Sequence, residues 1–560
     1  MNQELFQMLA TLFGGLAVFI YGMNLMSDGL QKAAGDKMRS ILAMLTRNPI
    51  MGVMAGAIVT AVLQSSSATT VMVIGFTSAG LMKLPQAISV IFGANIGTTI
   101  TAQLIAFSIG DYAWIFVFVG FVMMFFLKSK ERISEIGEIL FGFGLLFVGI
   151  NTMGDTMKPM AQSEVFVDMI MQVTDIPVLG VAVGALMTVV VQSSSATIAV
   201  LQNLAATAGP DGVSSIIGLS GAIPILFGDN IGTTITALLA SIGASINAKR
   251  TALAHSMFNI AGTLLWIWFV PQIVSIVTMI SPSGAEVDVI SRQIANTHML
   301  FNLTNTIVFT PFIFVFVKIV TKLIPGEDKE VLSDEPKFLD YHVIEQPVFA
   351  THLAVQELTR NAQVAKEMLL QSKDLFMNGN VEIAKDIIAT DDTVNKLRTK
   401  TIEYLSSILA AESITEHQKE RVAALLHVAS DIEHIGDYCK NIVDLGIEKN
   451  KNKYQFSEVA VAEVTEYFSR IESMLDLTID SLLSGSAEKA HEVMVKEEEI
   501  NKLELEIRKE HMHRISDNLC SPAVTVVFLD AIHNIERMGD SCNNIAEAVI
   551  KGYEAHTAAQ

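Results

Sequence analysis

Charge is what the first 325 residues of this chain have least of: 14 Lys and Arg with 15 Asp and Glu, against 24 and 43 in the remaining 235. Of the net charge of −20, the second part therefore carries −19. So little charge over 325 residues does not fit an ordinary soluble domain, in which about a quarter of residues are charged. The acidic excess of the second part repels phosphate backbones and argues against a nucleic-acid partner. Cysteine is scarce as well. Cys439, Cys520 and Cys542 all lie in the acidic part, an odd number without metal-ligand spacing, so no disulfide framework is expected and a reducing compartment fits. The apolar run from Leu5 to Met26 lacks a basic segment before it and a small-residue cleavage site after it, and reads as a retained membrane span.

What the first part does have is repetition. Gly22 to Asp28 (GMNLMSD) returns as Gly149 to Asp155 (GINTMGD), an offset of 127. QSSSAT stands at Gln64 to Thr69 and again at Gln192 to Thr197, an offset of 128. GANIGTTITA at Gly93 to Ala102 returns as GDNIGTTITA at Gly228 to Ala237, an offset of 135. Three matches in the same order mark a duplication.

Apolar segments at about 5–26, 84–108, 112–127, 133–153, 213–245, 251–280 and 293–320 approach or exceed the length that crosses the roughly 30 Å hydrocarbon core. Residues 50–82 and 177–206 are apolar but interrupted centrally by Gln and three Ser, which predicts two half-length helices meeting mid-membrane in a re-entrant hairpin. Three crossings then precede the second copy, so the copies are expected in opposite orientations. Loop charge agrees: residues 27–50 carry Lys32, Lys37, Arg39 and Arg47, whereas 154–176 carry Lys158 among Asp155, Glu164, Asp168 and Asp175. The positive-inside rule places the first loop in the cytoplasm together with Lys83, the Lys128 to Arg132 cluster, Lys249, Arg250, Lys318 and Lys322. Asp111, Glu286, Asp288 and the N-terminus then lie outside, and the acidic part is cytoplasmic.

Inverted repeats with broken helices are the architecture of secondary transporters. Ser65, Ser66, Ser67 and Ser193, Ser194, Ser195 supply hydroxyls, and a helix restarting after each break offers backbone N–H groups to an anion. Asn95, Thr98, Thr99 and Asn230, Thr233, Thr234 supply hard oxygens for a small cation, and Gly93, Gly97, Gly228 and Gly232 allow unwinding or close packing. No Lys or Arg falls inside an expected span core, and Asp229, in place of Ala94, is the only carboxylate near the motifs. An anion at the midplane must then travel with cations, because uncompensated charge there is costly. The Ser runs have no GxSxG elbow and no base nearby, so an enzyme is not expected. His255 with Asn259 and His298 with Asn302 repeat an HxxFN pattern at an offset of 43, read as packing or interfacial residues before proton relays.

The paired QSSSAT, GANIGTTITA and GDNIGTTITA segments resemble the hallmark motifs of the type II sodium/phosphate cotransporter family over most of residues 1–325. The resemblance implies phosphate binding at Gln64, Ser65, Ser66, Ser67, Gln192, Ser193, Ser194 and Ser195. It implies sodium, the coupling ion, at sites drawn from Ser66, Thr69, Asn95, Thr98, Thr99, Ser194, Thr197, Asp229, Asn230, Thr233 and Thr234.

In the acidic part, Pro325, Gly326, Pro336 and a run of charges suggest a linker at 326–345. Beyond it Val422, Leu425, Leu426, Ala429, Ile432 and Ile435 recur at helical spacing, as in a bundle. This part is duplicated too: DDTVNKL from Asp391 parallels EEEINKL from Glu497 at an offset of 106, and EHIGD from Glu433 parallels ERMGD from Glu536 at 103. Two three-helix units follow, each with Glu and Asp at i and i+4 on one face, whose repulsion a bound cation would relieve. The competing reading is a solvated acidic face neutralised by Lys and Arg. The contexts DIEHIGDYCKNI and NIERMGDSCNNI resemble the PhoU family of phosphate-signalling proteins over roughly residues 350–550. That resemblance implies a pair of three-helix bundles with divalent, iron- or zinc-type metal on Glu433, Asp437, Glu536 and Asp540, with Asp392 and Glu498 as weaker ligands.

The expected molecule is all-α. It has a polytopic membrane domain at 1–325 made of two inverted repeats, about 5–127 and 133–245, followed by spans over 251–320. A linker at 326–345 leads to a PhoU-like cytoplasmic domain at 346–555. The function implied is sodium-coupled symport of inorganic phosphate by alternating access in a bacterial inner membrane, regulated by the PhoU-like domain, through which copies of the chain or phosphate-signalling proteins would associate. The alternative is a membrane-anchored phosphate sensor with little transport.

Overall fold

The computed structural model describes residues 3–34, 48–107, 110–127, 131–160, 173, 176–209, 211, 213–326, 335–411, 414–517 and 522–558. Among them every regular element is helical, apart from an isolated bridge between Ala208 and Ser215. Two units divide the chain, Met1–Lys329 and Glu330–Gln560.

The first unit comprises α1 (Gln3–Ala34), α2 (Pro49–Leu63), α3 (Ser66–Ser78), α4 (Leu84–Ile105), α5 (Ala113–Phe126), α6 (Glu131–Met160), α7 (Pro177–Val191) and α8 (Ser194–Ala205). It continues with α9 (Gly218–Gly232), α10 (Thr234–Ala240), α11 (Ile246–Trp266), α12 (Val270–Ile280), α13 (Glu286–Phe309) and α14 (Ile313–Leu323). Six stretches among the described residues are long and apolar enough to cross a membrane: Phe6–Ala34, Leu84–Ile105, Arg132–Lys158, Gly218–Ala240, Ile246–Ile280 and Glu286–Leu323. Large apolar side chains such as Phe118, Phe126 and Trp268 stand on the outside of the unit, a surface suited to lipid. The chain is a multi-pass membrane protein. The span expected at 112–127 is not among the six. Its helix α5 has 14 residues, roughly 21 Å of helix and short of the hydrocarbon core.

Both interrupted segments fold back on themselves. α2 ends where Gln64 enters the left-handed region at φ +51°, and α7 ends where Gln192 does so at φ +56°. Ser65 and Ser193 then cap α3 and α8, each Oγ accepting from the backbone N–H three residues on. Thr60 Oγ1 donates to Thr69 Oγ1 at 2.8 Å, and Thr188 Oγ1 lies 3.2 Å from Thr197 Oγ1. Nine residues of unbroken helix would hold such a pair about 13 Å apart, so the chain reverses at each Gln-Ser.

Small residues let each hairpin lie on the helix that follows it. An added Cβ at Gly56 would meet Val90 O at 2.1 Å and one at Gly93 would meet Val53 O at 1.9 Å, so α2 and α4 touch backbone to backbone. The second copy repeats this between α7 and α9, with 2.0 Å from Gly184 to Ile225 O and 2.0 Å from Gly228 to Val181 O. α1 and α6, equivalent by the 127 offset, pack antiparallel: Gly22 faces Gly142 and Leu146, and Gly149 faces Gly15 and Phe19. Phe92 stacks on Phe258 at 4.3 Å, bringing α4 to α11, and Phe227 on Phe301 at 4.5 Å, bringing α9 to α13. α11–α12 and α13–α14 are themselves a repeat, each kinked at a 3₁₀ turn, Ile267–Phe269 and Thr310–Phe312. Pro271 and Pro311 stand at those kinks. The copies differ where α4 runs unbroken through GANIGTT while α9 contains Pro224 and stops at Gly232.

The second unit is a pair of three-helix bundles, α15 (Pro347–Asn378), α16 (Ala384–Leu409), α17 (Glu416–Lys451) and α18 (Glu458–Ser484), α19 (Ala487–Ser516), α20 (Pro522–Ala558). They join through α17 on α20 and α15 on α18. Two cross-bonds related by the 103 offset hold α17 to α20: Asn441 Nδ2 donates to Asn534 Oδ1 at 2.9 Å and Asn544 Nδ2 to Asp431 Oδ1 at 3.1 Å. Cys439 and Cys542 are buried, and burial pushes both thiols up to about 12, so they serve packing. Cys520 lies outside the described residues.

Candidate functional site

The two QSSS turns present serines differently. Ser65 and Ser193 are occupied as caps, leaving the hydroxyls of Ser66 and Ser67 in one copy and Ser194 and Ser195 in the other at the first turn of α3 and α8. Backbone N–H groups at such a start have no acceptor within the helix. Gln64 is buried, with its Nε2 donating to Ala61 O and its Oε1 accepting from Thr101 Oγ1 at 2.9 Å, whereas Gln192 is exposed. Thr236, the copy of Thr101, instead donates to Ser67 Oγ at 3.1 Å and so ties the first hairpin to the second repeat. In this arrangement no described Lys or Arg bonds to either turn.

The Asn/Thr segments line α4 and α9 beside the hairpins. Thr98, Thr99, Thr233 and Thr234 turn their hydroxyls onto carbonyls three or four residues back, and Asn95 and Asn230 do the same with their amides, to Ile91 O and Leu226 O. The Asn230 carbonyl oxygen is directed outward, 3.3 Å from Asn302 Nδ2 and 3.4 Å from His298 Nε2. Asp229 is fully buried, and Thr188 Oγ1 donates to its Oδ1 at 2.7 Å.

Two site neighbours were not singled out from sequence. Thr60 and Thr188 each stand four residues before the Gln, so the repeated string is TxxxQSSSAT and was there to be read. Their partnership with Thr69 and Thr197 exists only because the chain reverses. His298 and Asn302 reach Asn230, so the second HxxFN segment adjoins the candidate site as well as filling space. His255 and Asn259 are equally buried, with His255 Nδ1 and Nε2 and Asn259 Oδ1 unpartnered.

In the second unit the metal expectation needs correcting. Among the described residues no group of three or more His, Cys, Asp and Glu converges. Glu433 lies 4.0 Å from Arg398 and 3.8 Å from His434, Glu536 lies 3.6 Å from His533, and Asp540 pairs with Arg537 at 3.0 Å. Burial, and then Asp540 beside it, push the Glu536 carboxyl above its usual range. Asp437 is half-buried on the same face of α17 without completing a cage. Asp392 and Glu498 point to solvent, and their neighbours Asp391 and Glu497 turn inward instead, Asp391 to Lys440 at 3.5 Å and Glu497 to Asn501 at 2.7 Å. A recess of about 410 Å³ between α17 and α20 mixes Asp431 and Asp540 with His434 and Arg537. Among the described residues these carboxylates do not gather into a metal centre.

Known proteins share both halves. The family profile described as Na+/Pi-cotransporter matches residues 18–155 and again 147–281, and the PhoU domain profile matches 358–445 and 464–549. YqeW of Bacillus subtilis (strain 168), whose name states no activity, is 32% identical over 268 residues, 48% of this chain and 84% of YqeW. YjbB of Escherichia coli O157:H7, whose name proposes inorganic phosphate export, is 23% identical over 553 residues, 97% of each chain. Sodium-dependent phosphate transport protein 2A of Rattus norvegicus is 36% identical over 101 residues, 17% of this chain and 15% of its own length.

Proposed function

This chain belongs to the Na+/Pi-cotransporter family and carries PhoU domains behind its membrane unit, and from that premise we propose that it is a sodium-coupled symporter of inorganic phosphate working by alternating access. The observation that carries the reading is the pair of chain reversals at QSSS, each placing serine hydroxyls and a helix start at a turn to which no described cationic side chain bonds. Phosphate is held by Gln64, Ser65, Ser66, Ser67 and Gln192, Ser193, Ser194, Ser195, with the cap serines ordering the turns. Its charge is balanced by sodium on oxygens from Thr69, Asn95, Thr98 and Thr99 in one copy and Thr197, Asp229, Asn230, Thr233 and Thr234 in the other, with Ser66 and Ser194 shared. The antiparallel packing of α1 on α6 supports copies of inverted topology, which rock about the hairpins. The rat relative's name supports sodium dependence, and the PhoU match supports a regulatory cytoplasmic unit. The bacterial relatives support a plasma-membrane location.

The test is labelled phosphate entering proteoliposomes that contain the purified full-length protein. Uptake is expected to need an inward sodium gradient and to be lost in Ser66→Phe and Ser194→Phe proteins that still elute as monodisperse species. Sodium-independent uptake would overturn the coupling, and phosphate binding without any flux would make the protein a sensor.

A further inference from the structure

Each HxxFN segment is fixed beside an Asn/Thr segment by its phenylalanine. Phe258 stacks on Phe92 and Phe301 on Phe227, and those two rings stand three residues before Asn95 and Asn230. The outcome differs between the copies. On α9 the Asn230 amide nitrogen is committed to Leu226 O at 3.0 Å, so its oxygen is the atom that faces α13, accepting from Asn302 Nδ2 at 3.3 Å and standing 3.4 Å from His298 Nε2. On α11 both ring nitrogens of His255 and the Oδ1 of Asn259 have no partner, and Asn95 takes no donor from that histidine. A carbonyl oxygen has two lone pairs, so Asn230 held by two N–H donors has none left for a cation. The joint is weak all the same. Its bonds are longer than the usual N–H···O range, and His298 Nδ1 and Asn302 Oδ1 are buried beside it without partners.

We propose that His298 and Asn302 are positioning residues that compete with sodium for the Asn230 carbonyl oxygen, so that sodium binding in the second repeat releases α13 from α9. The inference rests on the symport reading and gives it a coupling element. A ligand shifts a conformational equilibrium only by its differential affinity for the two states. Here the difference is specific: Asn230 Oδ1 is open to a cation only when α13 has let it go. With no cation at Asn230 the two donors hold the oxygen and α13 stays docked. A sodium ion that takes the oxygen displaces both, and the undocked helix is the arrangement that sodium favours. The first repeat has no such latch, because His255 bonds nothing, so its oxygens take sodium without moving α11.

The sodium dependence of phosphate uptake into proteoliposomes containing the full-length protein tests this. His298→Leu and Asn302→Leu each remove one competitor, and the sodium concentration that gives half-maximal uptake is expected to fall about fivefold in each, the weight of one hydrogen bond. His298→Gln keeps an amide donor and should keep the wild-type value, as should His255→Leu at the equivalent position without a bond. Loss of packing alone would not make sodium bind more tightly. A half-saturating concentration that is unchanged or higher in His298→Leu therefore overturns the latch, and if that variant does not fold, the same result in Asn302→Leu does so. An equal fall in His255→Leu also overturns it, since no competitor is removed there. Wild-type uptake that does not depend on sodium sinks the symport reading itself.

Discussion

Asp431 and Asn534 occupy equivalent positions in the two bundles, and each accepts a bond from an asparagine of the opposite helix. Only Asp431 carries charge into the joint. Burial pushes its carboxyl above the usual range, opposed in part by the bond from Asn544 and by His434 and His427. A carboxyl raised in the folded state gives stability that is fully present below its unfolded pKa, near pH 4, and is lost as pH rises through the folded value. Asp431→Asn keeps the acceptor for Asn544 and removes the buried charge. The variant is therefore expected to melt higher than wild type at pH 7 to 8, with the gap closing as pH falls toward about 4. Melting curves of the full-length protein across that range check it, and a gap that widens toward acid would contradict it. Single residues also mark the limit of what sequence reveals. The doublet Asp391-Asp392 and the run Glu497 to Glu499 offer adjacent carboxylates, and only helix rotation decides that Asp391 and Glu497 turn inward. The ExxGD spacing marks one helix face and shows Arg537 within it, but the sequence does not show Arg398 of the neighbouring helix arriving beside Glu433.

Among the elements, the hairpins were legible because a polar break centred in an apolar run has few solutions in lipid. The glycines were legible only as permissive. Their actual use is close approach, and the pattern Gly52, Gly56 against Gly93, Gly97 recurs as Gly180, Gly184 against Gly228, Gly232. Gly228→Ala puts a methyl 2.0 Å from a carbonyl of α7, which no side-chain rearrangement can relieve. The helices must part, at about 1–3 kcal/mol by analogy with overpacked cores. Gly14, in α1, has nothing within 4 Å of an added methyl, so Gly14→Ala should be neutral or raise stability by up to about 1 kcal/mol. Thermal unfolding of the two proteins in the same detergent distinguishes them, and equal melting temperatures would mean that α7 and α9 are not in backbone contact. The short α5 and the break after Gly232 were not legible. Apolar length alone does not say whether a segment stays helical from end to end.

At the scale of the membrane unit, contacts between distant loops sort the charges into two ends. Arg250 donates to Ile324 O and Gly326 O, at 3.0 and 2.7 Å, and Ser245 N to Ser78 Oγ at 3.1 Å, which gathers Lys83, Lys249, Arg250 and Lys322 at one end. Glu286 accepts from Ser215 N at 3.0 Å, and Arg292 reaches Gln103 Oε1 at 2.6 Å, which gathers Glu286, Asp288 and Asp211 at the other, with Asp111 close by along the chain. Arg292 is the exception, stacked on Phe107 at 4.4 Å. Lys32 pairs with Glu138 at 2.9 Å where α1 ends beside the start of α6, near Arg132. Loop charge read from sequence separates Lys83, Lys249, Arg250 and Lys322 from Glu286 and Asp288 in the same way, because it depends on Lys and Arg next to span ends and needs no tertiary structure. The fold adds that loops far apart in sequence share an end. Under the positive-inside rule the basic end is expected to face the cytoplasm, and we propose that the PhoU-like unit that follows Lys322 lies there too. Cysteine labelling checks this cleanly, since Cys439 and Cys542 are buried and poorly ionised and Cys520 can be changed to Ser. In intact cells a membrane-impermeant maleimide is expected to label Ser283→Cys, in the exposed turn between α12 and α13, and to label Lys322→Cys only after permeabilisation. The reverse pattern would turn the protein over and place the acidic unit outside, where it could not sense cytoplasmic phosphate.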